Sequence, residues 1–257
     1  MTRRSRAAHP QLAATQPERH GSAVVTGASS GVGRALALEL ARDRDTLVLV
    51  GRDGERLAAV ASEVEDRGAR AQIELADLAE PAAVLGLGTR LAQRLPALSA
   101  LVHAAGEYLG EPFAEVSSEA FSRVLAVNLQ APAALTRALL APLGAAPGDL
   151  VFINSSVVGQ RRAGISAYAA SKAGLAALAD SLRQELNPLG VRVLSVFLGA
   201  TATPLQERLH TRSGRAYRPE ALLAPENVAH TVRAALDLPR RAELTELHLR
   251  PATCPKD

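Results

Sequence analysis

Residues 22–33 read SAVVTGASSGVG, an apolar run that passes directly into a glycine-rich turn. The run predicts a buried strand over residues 22–26, and helical spacing begins at Val32. Gly27, Gly31 and Gly33 follow a GxxxGxG spacing, in which glycines let the backbone turn tightly and approach a pyrophosphate at the start of the helix. The stretch therefore predicts a nucleotide-binding strand–turn–helix unit, with tight packing and no nucleotide as the alternative.

The same alternation of short apolar runs and helical spacing continues along the chain. Such alternation is typical of parallel strands joined by right-handed helical crossovers. The expected fold class is α/β, with a doubly wound, mostly seven-stranded parallel sheet in a single Rossmann-type domain. The predicted strands cover residues 22–26, 46–50, 71–74, 100–103, 150–153, 191–198 and 244–249, and the predicted helices cover residues 32–42, 55–67, 81–95, 118–140, 166–187 and 225–236.

The single domain is expected to span residues 21–251. Residues 1–20 hold prolines and arginines without apolar periodicity, which predicts a disordered tail. Their Arg-rich, acid-poor composition also faintly resembles an organelle transit peptide. Residues 252–257 are expected to form a short C-terminal tail.

Charge and composition argue against several classes of function. The net charge of +3 comes from residues 1–20, and the rest of the chain holds 25 basic and 25 acidic residues. A basic face for nucleic acid is therefore not expected, and no apolar run approaches the length of a membrane span. The only cysteine, Cys254, permits no intrachain disulfide and has no partner for a metal site. We expect a cytoplasmic protein that binds no metal, membrane or nucleic acid.

The end of the second predicted strand bears on the choice of cofactor. Arg52 and Asp53 follow Val50 and Gly51 there. NAD-binding domains usually place an acid at this strand end to hold the ribose hydroxyls, whereas an arginine suits the 2′-phosphate of NADP. Arg52 therefore predicts NADP(H) in preference to NAD(H). Asp53 is the competing residue, and we interpret it as the N-cap of the next helix.

Tyr168 and Lys172 stand four residues apart in a chain with three tyrosines and one other lysine, Lys256. Residues at this spacing share one face of a helix. The Lys172 ammonium can therefore approach the phenol and lower its pKa from about 10. A phenol tuned in this way can exchange protons with an alcohol or a carbonyl. The pair predicts general acid–base chemistry at Tyr168.

Further motifs follow in order along the chain. Asp77 and Leu78 come after the third predicted strand, residues 101–106 read LVHAAG, and residues 198–203 read LGATAT. Together with the glycine turn and the tyrosine–lysine pair, they resemble the conventional short-chain dehydrogenase/reductase family over about residues 22–250. They are similar to its adenine-contacting acid, its NNAG turn and its PGxxxT segment beside the nicotinamide.

The resemblance implies a catalytic set of Asn128, Ser156, Tyr168 and Lys172. In this set Tyr168 is the general acid in reduction and the general base in oxidation. Lys172 would also bind the cofactor ribose, and Ser156 would donate a hydrogen bond to the substrate oxygen. Asn128 would hold a water that connects Lys172 to solvent as a proton relay.

Three of these roles have alternatives. Ser156 fits the local NSSVVG motif at residues 154–159, whereas counting back from Tyr168 favours Ser155. Asn128 could instead be a buried side chain that satisfies backbone groups, and both roles can coexist. Thr203 would bind the nicotinamide carboxamide, or it could be a helix N-cap.

Three positions depart from the family's patterns. His103 and Ala104 replace two asparagines, so we expect the central sheet to be supported differently. Leu198 replaces a proline, which removes a fixed φ from the loop.

The residues expected to contact the cofactor are Gly27, Ser29, Ser30, Gly31, Val32, Gly33, Arg52, Asp77, Leu78, Ala105, Gly106, Asn128, Tyr168, Lys172, Gly199, Thr201 and Thr203.

We therefore expect an NADP(H)-dependent oxidoreductase that transfers a hydride between nicotinamide and a carbonyl or secondary alcohol of a small-molecule substrate. The alternative is a non-catalytic NADP(H)-sensing or scaffolding protein on the same fold. The resemblance also implies a substrate lid over about residues 204–224 and assembly as a homodimer or homotetramer. Arg212, Arg215 and Arg218 in the lid permit an anionic substrate, and a solvated loop explains them as well.

Overall fold

A computed structural model describes residues 21–160 and 162–252 of the 257-residue chain. The predicted tail at residues 1–20 lies outside the described residues, and so do residues 253–257 of the predicted C-terminal tail. Within the described part, seven strands form one sheet. They are β1 (Ser22–Thr26), β2 (Thr46–Gly51), β3 (Arg70–Leu75), β4 (Ala100–His103), β5 (Asp149–Ser155), β6 (Arg192–Leu198) and β7 (Glu246–Leu249).

The strands are all parallel and lie in the order β3-β2-β1-β4-β5-β6-β7. This arrangement confirms the predicted α/β fold class and doubly wound sheet. The strand order changes direction between β1 and β4, where Thr26 pairs with His103. In open parallel sheets the crevice for a ligand forms outside the carboxyl ends of the strands at such a point. The fold therefore places the candidate site beyond Thr26 and His103.

Helices cover both faces of the sheet. Those in the described residues are α1 (Gly31–Leu40), α2 (Gly54–Glu65), α3 (Pro81–Arg94), α4 (Ser118–Leu125), α5 (Ala131–Ala138), α6 (Leu140–Ala145), α7 (Ser166–Leu186), α8 (Pro204–Arg212) and α9 (Pro225–Leu236). α1, α2 and α9 pack against one set of strand side chains, which includes Val25. α3, α5 and α7 pack against the alternate set, which includes Val24. None of the described helices is long and apolar enough to cross a membrane.

The helix predicted over residues 118–140 is interrupted. α4 passes into a π-helical turn at Ala126–Gln130 before α5 begins. Such turns insert an extra residue into a helix and are frequent at functional sites, and this one contains the buried Asn128. A separate helix, α6, follows α5 and carries Pro142 in its first turn. The first helical turn needs no backbone N–H from a proline.

The lid segment, residues 204–224, contains a helix that the sequence pattern did not predict. None of the residues of α8 is fully buried, so hydrophobic periodicity gives no signal for it. Its start is nevertheless marked by Pro204 in the first turn and by Thr203, whose Oγ1 accepts a hydrogen bond from the backbone N–H of Gln206 over 3.2 Å. Capping residues therefore identify this helix better than its apolar pattern does.

His103 supports the central sheet where the family has an asparagine. Its Nε2 lies 2.9 Å from Thr136 Oγ1 on α5, and its ring stacks on Phe152 with 5.1 Å between centroids. Burial lowers the pKa of His103 to about 3, so the imidazole is neutral at physiological pH. An aromatic stack and one hydrogen bond thus provide the different support expected at this position.

Candidate functional site

The glycine turn between β1 and α1 packs tightly against neighbouring backbone. Gly27 and Gly31 have φ angles of 68° and 53°, in the left-handed region that favours glycine. A Cβ at Gly27 would lie 2.7 Å from the Ala105 backbone, and a Cβ at Gly33 would collide with the Gly27 carbonyl oxygen. The N-cap residue of α1, Ser30, makes no side-chain capping bond within the described residues. The N-terminus of α1 thus offers backbone N–H groups to an anion.

Arg52 lies at the end of β2 with most of its side chain in solvent. The side chain is 62% exposed, and Nη1 lies 3.7 Å from Asp77 Oδ2. Asp53 turns instead to its own helix, where Oδ1 accepts a hydrogen bond from the backbone N–H of Arg56 over 3.0 Å. Asp53 is therefore the N-cap of α2, as predicted. Arg52 is left as the charged group that can meet a ligand at this strand end.

Asp77, which follows β3, is held by one backbone and two ionic contacts. Its Oδ1 accepts a hydrogen bond from the Ala79 N–H over 3.0 Å, and Oδ2 lies 3.4 Å from Arg123 Nη2 as well as near Arg52. Burial raises the pKa of Asp77, but the Ala79 hydrogen bond and the two arginine charges outweigh it and lower the pKa overall. The carboxylate is therefore ionised at neutral pH. The neighbouring Leu78 side chain is buried in the core.

Asn128 ties the loop after β4 to α7. Its Oδ1 accepts a hydrogen bond from the Glu107 N–H over 2.7 Å, and its Nδ2 donates to the Glu107 carbonyl over 2.8 Å and to Ser171 Oγ over 2.9 Å. The backbone-satisfying role left open by the sequence is therefore present. A Cβ at Gly106 would lie 3.6 Å from Asn128 Oδ1 and 3.9 Å from Lys172 Nζ. Glycine at this position keeps the space between the two side chains open.

Ser155, rather than Ser156, lies against the Tyr168 phenol. Ser155 is the last residue of β5, and its side chain hydrogen bonds to Tyr168. The same hydroxyl accepts a hydrogen bond from the Val157 N–H over 3.3 Å. Ser156 instead begins the following 3₁₀ turn. On this geometry Ser155, the alternative that counting back from Tyr168 favours, is the serine beside the phenol.

The electrostatics of the Tyr168–Lys172 pair differ from the expectation. Burial raises the pKa of Tyr168, the hydrogen bond from Ser155 lowers it and the nearby Tyr108 raises it, so the pKa increases overall. Lys172 is 4% exposed, with Nζ 6.0 Å from the centre of the Tyr168 ring. Burial lowers the pKa of Lys172 to about 8. The expectation that Lys172 lowers the pKa of the phenol is therefore wrong, and Tyr168 is protonated at neutral pH.

The loop after β6 borders the glycine turn. A Cβ at Gly31 would lie 3.0 Å from Thr203 Cγ2, while Thr203 Oγ1 caps α8, so the N-cap role left open for this residue is present. Thr201 Oγ1 donates to the Gly199 carbonyl over 2.9 Å. The Gly199 N–H donates to the Leu249 carbonyl over 2.8 Å. These bonds anchor the loop to β7 without the proline that the family has before Gly199.

Tyr108 lies against the phenol, and the lid contacts the loop after β4. The Tyr108 and Tyr168 rings lie 4.9 Å apart between centroids. Arg212, at the end of α8, lies 3.4 Å from Glu111 Oε1, so an ion pair joins the lid to the loop after β4. Arg215 donates from Nε to a serine hydroxyl within the lid. Local partners thus account for these two arginines without an anionic substrate.

Two polar residues at the crevice were missed as functional candidates. Thr26 Oγ1 accepts hydrogen bonds from the backbone N–H groups of residues 104 and 105, each over 3.2 Å. Asn154 Nδ2 donates to the Lys172 carbonyl over 3.2 Å, and its Oδ1 accepts from the Ser155 N–H over 2.8 Å. Both are polar residues near the ends of otherwise apolar buried strands. That position was the available signal, since a buried polar group there needs partners.

The crevice therefore combines an anion cradle, an exposed arginine and a protonated phenol. Ser29 and Val32 are half-buried in the cradle, whose turn is so close to neighbouring backbone that a Cβ at Gly27 or Gly33 would collide with it. These features fit the phosphates of a dinucleotide. The phenol of Tyr168, next to the Ser155 hydroxyl, can donate a proton to an oxygen atom bound nearby.

Comparison with known proteins gives consistent matches. The sequence model of the short chain dehydrogenase family matches residues 22–214. YciK, an uncharacterized oxidoreductase of Escherichia coli K12, is 38% identical over 199 residues, which are 72% of this chain and 77% of that protein. The 1-deoxy-11-beta-hydroxypentalenate dehydrogenase of Streptomyces exfoliatus is 34% identical over 219 residues, 84% of this chain and 79% of that protein. An alcohol dehydrogenase of the archaeon Thermococcus sibiricus, solved with 5-hydroxy-NADP, has a TM-score of 0.81 at 28% identity, with 92% of this chain and 99% of that one covered.

Proposed function

The chain belongs to the short-chain dehydrogenase family of oxidoreductases, and on that premise we propose that it transfers a hydride between NADP(H) and a carbonyl or secondary alcohol of a small molecule. The observation that carries the proposal is the half-buried Tyr168 phenol at the crevice. It hydrogen bonds to Ser155 and shares α7 with Lys172. This is the arrangement of an acid beside a group that can stabilise charge on a substrate oxygen.

Residues at three places support NADP(H) as the cofactor, whose nicotinamide carries the hydride when it is bound. The glycine turn leads into the N-terminus of α1, whose backbone N–H groups are available to the pyrophosphate. Arg52 extends into solvent at the strand end where a 2′-phosphate would be held. The loop from Gly199 to Thr203 packs beside the glycine turn and would contact the nicotinamide. The archaeal relative solved with 5-hydroxy-NADP supports the same phosphate-bearing class of cofactor.

Tyr168 is the proposed general acid in reduction. Burial raises its pKa, so the phenol holds its proton at neutral pH and can donate it to a carbonyl oxygen that gains negative charge. Ser155 would donate a hydrogen bond to the same oxygen. Oxidation needs the phenolate as a base, which the raised pKa disfavours at neutral pH. The protonated phenol is therefore the form that the reduction step needs.

Lys172 and Asn128 would position the phenol and return its proton. Lys172, with a pKa of about 8, remains mostly charged at neutral pH and would bind the cofactor ribose, as the family resemblance implies. Asn128 Oδ1 accepts one hydrogen bond from Glu107, and an amide oxygen has a second lone pair. That lone pair could hold a water between Asn128 and Lys172 for the proton relay.

Assembly and location are proposed on the resemblance alone. We expect a homodimer or homotetramer that packs through the helices holding Asn128 and Tyr168. Ala173 and Ala177 are exposed on α7, and such small side chains allow a second helix to approach closely. A mass measurement that gives only monomer would contradict this assembly. A cytoplasmic location and the predicted lid at residues 204–224 belong to the same set of proposals.

The experiment for the proposed function measures consumption of NADPH and of NADH with a panel of ketones and aldehydes. We expect at least one carbonyl compound to be reduced, with NADPH used in preference to NADH. Tight binding of NADPH without consumption over a broad panel would contradict the proposal and favour a sensing or scaffolding protein. No finding on the described residues or among the relatives supports that alternative.

A further inference from the structure

Four side chains of alternating charge run from the end of β2 to the loop after β4. Asp77 Oδ2 lies 3.7 Å from Arg52 Nη1 and 3.4 Å from Arg123 Nη2. Arg123 Nε then donates to Glu107 Oε1 over 3.0 Å. Glu107 is the residue whose backbone is held by Asn128. Arg123, on α4, therefore joins an acid at the proposed adenosine end of the site to an acid in the active-site loop.

We propose that Arg123 is a positioning residue that raises the preference for NADP(H) over NAD(H). By pairing with Asp77, it leaves the charge of Arg52 available to the 2′-phosphate. The inference rests on the proposed function, in which Arg52 holds that phosphate. Arg123 acts through Asp77 and Arg52 and needs no contact of its own with the cofactor.

The charges of the four side chains explain the direction of the effect. With Arg123 present, two cations balance the carboxylates of Asp77 and Glu107. When the charge of Arg123 is removed, Arg52 is the cation that remains at Asp77 Oδ2. The Arg52–Asp77 pair then competes with a ligand phosphate for Arg52. The four positions also become negative in sum, which repels a 2′-phosphate more than it affects the neutral 2′-hydroxyl of NAD(H). Removing the charge of Arg123 should therefore weaken NADP(H) binding selectively.

The Arg123–Asp77 ion pair is less exposed to solvent than the Arg52–Asp77 ion pair. The side chains of Arg123 and Asp77 are each 34% exposed, whereas that of Arg52 is 62% exposed. Burial lowers the pKa of Arg123, but the charges of Glu107 and Asp77 outweigh it and raise the pKa overall. Salt and solvent screen a sheltered pair less than an exposed one. Arg123 is thus the stronger partner of Asp77, and Arg52 is the one that a ligand can draw away.

Calorimetric titration of the full chain with NADP⁺ and with NAD⁺ tests the proposal without a substrate. In Arg123→Gln, we expect the ratio of the NAD⁺ and NADP⁺ dissociation constants to fall by about two- to fivefold, the range of a partly exposed ion pair. Arg123→Lys keeps the charge and should recover much of the ratio. Adding Asp77→Asn to Arg123→Gln removes the competing acid and should restore the ratio of the two dissociation constants.

Arg137→Gln is the matched control, because it removes one positive charge from an exposed arginine on α5, about 20 Å away along the helical stretch. It should leave the ratio unchanged. An unchanged ratio in Arg123→Gln, or no recovery when Asp77→Asn is added, would overturn the inference. If either of these results is obtained while the wild type still prefers NADP⁺ to NAD⁺, the proposed function survives. A wild type that binds neither dinucleotide would overturn the proposed function and this inference together.

Discussion

The ammonium of Lys172 donates a hydrogen bond to the main-chain carbonyl of Ile153 over 2.8 Å. This contact fixes a buried cation at the carboxyl end of β5, next to the strand residues that meet the phenol. Burial lowers the pKa of Lys172 to about 8, so at neutral pH the folded protein carries a charge that its surroundings disfavour. Sites that lower stability in this way are common where a residue serves activity.

We predict that Lys172→Met is more stable than the wild type at pH 7. The fall in the pKa of Lys172 from 10.5 to about 8 corresponds to about 3 kcal/mol, and loss of the charged hydrogen bond to Ile153 offsets about 2 kcal/mol of that. Below pH 8 the folded and unfolded states both hold the proton, so the full cost applies. Between about pH 8 and 10.5 only the unfolded state holds it, and the cost fades as pH rises.

Urea unfolding at pH 7 and near pH 10 measures this difference. The unfolding free energy of Lys172→Met should exceed that of the wild type by about 1 kcal/mol at pH 7, and this gain should shrink at the higher pH. Leu175→Met, a buried change on the same helix, is the matched control, and its effect should not vary with pH. A Lys172→Met variant that is less stable than the wild type at pH 7 would show that the burial cost has been misjudged.

Lys172→Arg tests whether the position needs lysine rather than positive charge. Lys172 is buried, and its Nζ donates to the Ile153 carbonyl over 2.8 Å, so its surroundings fit a compact cation. The planar guanidinium is larger and cannot reproduce a compact ammonium. We expect kcat/KM for carbonyl reduction to fall by about 100-fold or more, the scale of a misplaced catalytic group. Turnover within a few-fold of the wild type would contradict the assignment.

Ser155→Ala and Ser156→Ala separate the two serines. Ser155 hydrogen bonds to Tyr168, so its removal should lower kcat/KM by about 100-fold, whereas Ser156→Ala should remain close to the wild type. Ser155 also lowers the pKa of Tyr168. The alkaline limb of the pH profile for reduction should therefore move to higher pH in Ser155→Ala. A large loss in Ser156→Ala alone would restore the original serine assignment.

His103 should make the fold sensitive to acid. Burial lowers the pKa of His103 from 6.5 to about 3, so below pH 6.5 the unfolded state takes up a proton that the folded state does not. The contribution of His103 to the unfolding free energy is therefore at its full value above pH 6.5 and is lost as pH falls towards 3. Between pH 6.5 and 5 the loss is about 2 kcal/mol.

His103→Gln retains a polar partner for Thr136 without a titrating ring. We expect its unfolding free energy, measured by urea at several pH values, to fall less steeply with acid than that of the wild type. His210→Gln, a change at a lid histidine that is not buried, should leave the slope unaltered. Equal slopes in the wild type and His103→Gln would contradict the buried, neutral state of His103.

The five inner strands of the sheet were predictable because each contains a short apolar run, whereas the edge strands β3 and β7 mix polar and apolar residues. The glycine turn and the strand order then place the crevice, since parallel strands end at one edge. The interruption at Ala126–Gln130 was not predictable, because an inserted residue leaves the apolar pattern nearly intact. α8 was missed for the opposite reason, since it buries too little to show periodicity.

The site was predictable to the extent that its chemistry depends on local spacing. Tyr168 and Lys172 share a helix face, and Asp53 precedes its helix, so both could be interpreted from neighbours in sequence. The choice between Ser155 and Ser156 depends on how a short loop returns to α7, which the local motif does not encode. The raised pKa of Tyr168 depends on tertiary burial and on Tyr108, neither of which is visible in the helix sequence.

The most direct test of the account compares Tyr168→Phe with Tyr217→Phe. The first removes the proposed acid, and the second removes a phenol from the lid as a matched control. We predict that Tyr168→Phe lowers kcat/KM for NADPH-dependent carbonyl reduction by between about 100- and 10,000-fold, with NADP⁺ affinity little changed and Tyr217→Phe close to the wild type. Full reductase activity in Tyr168→Phe would contradict the central claim that this phenol supplies the proton.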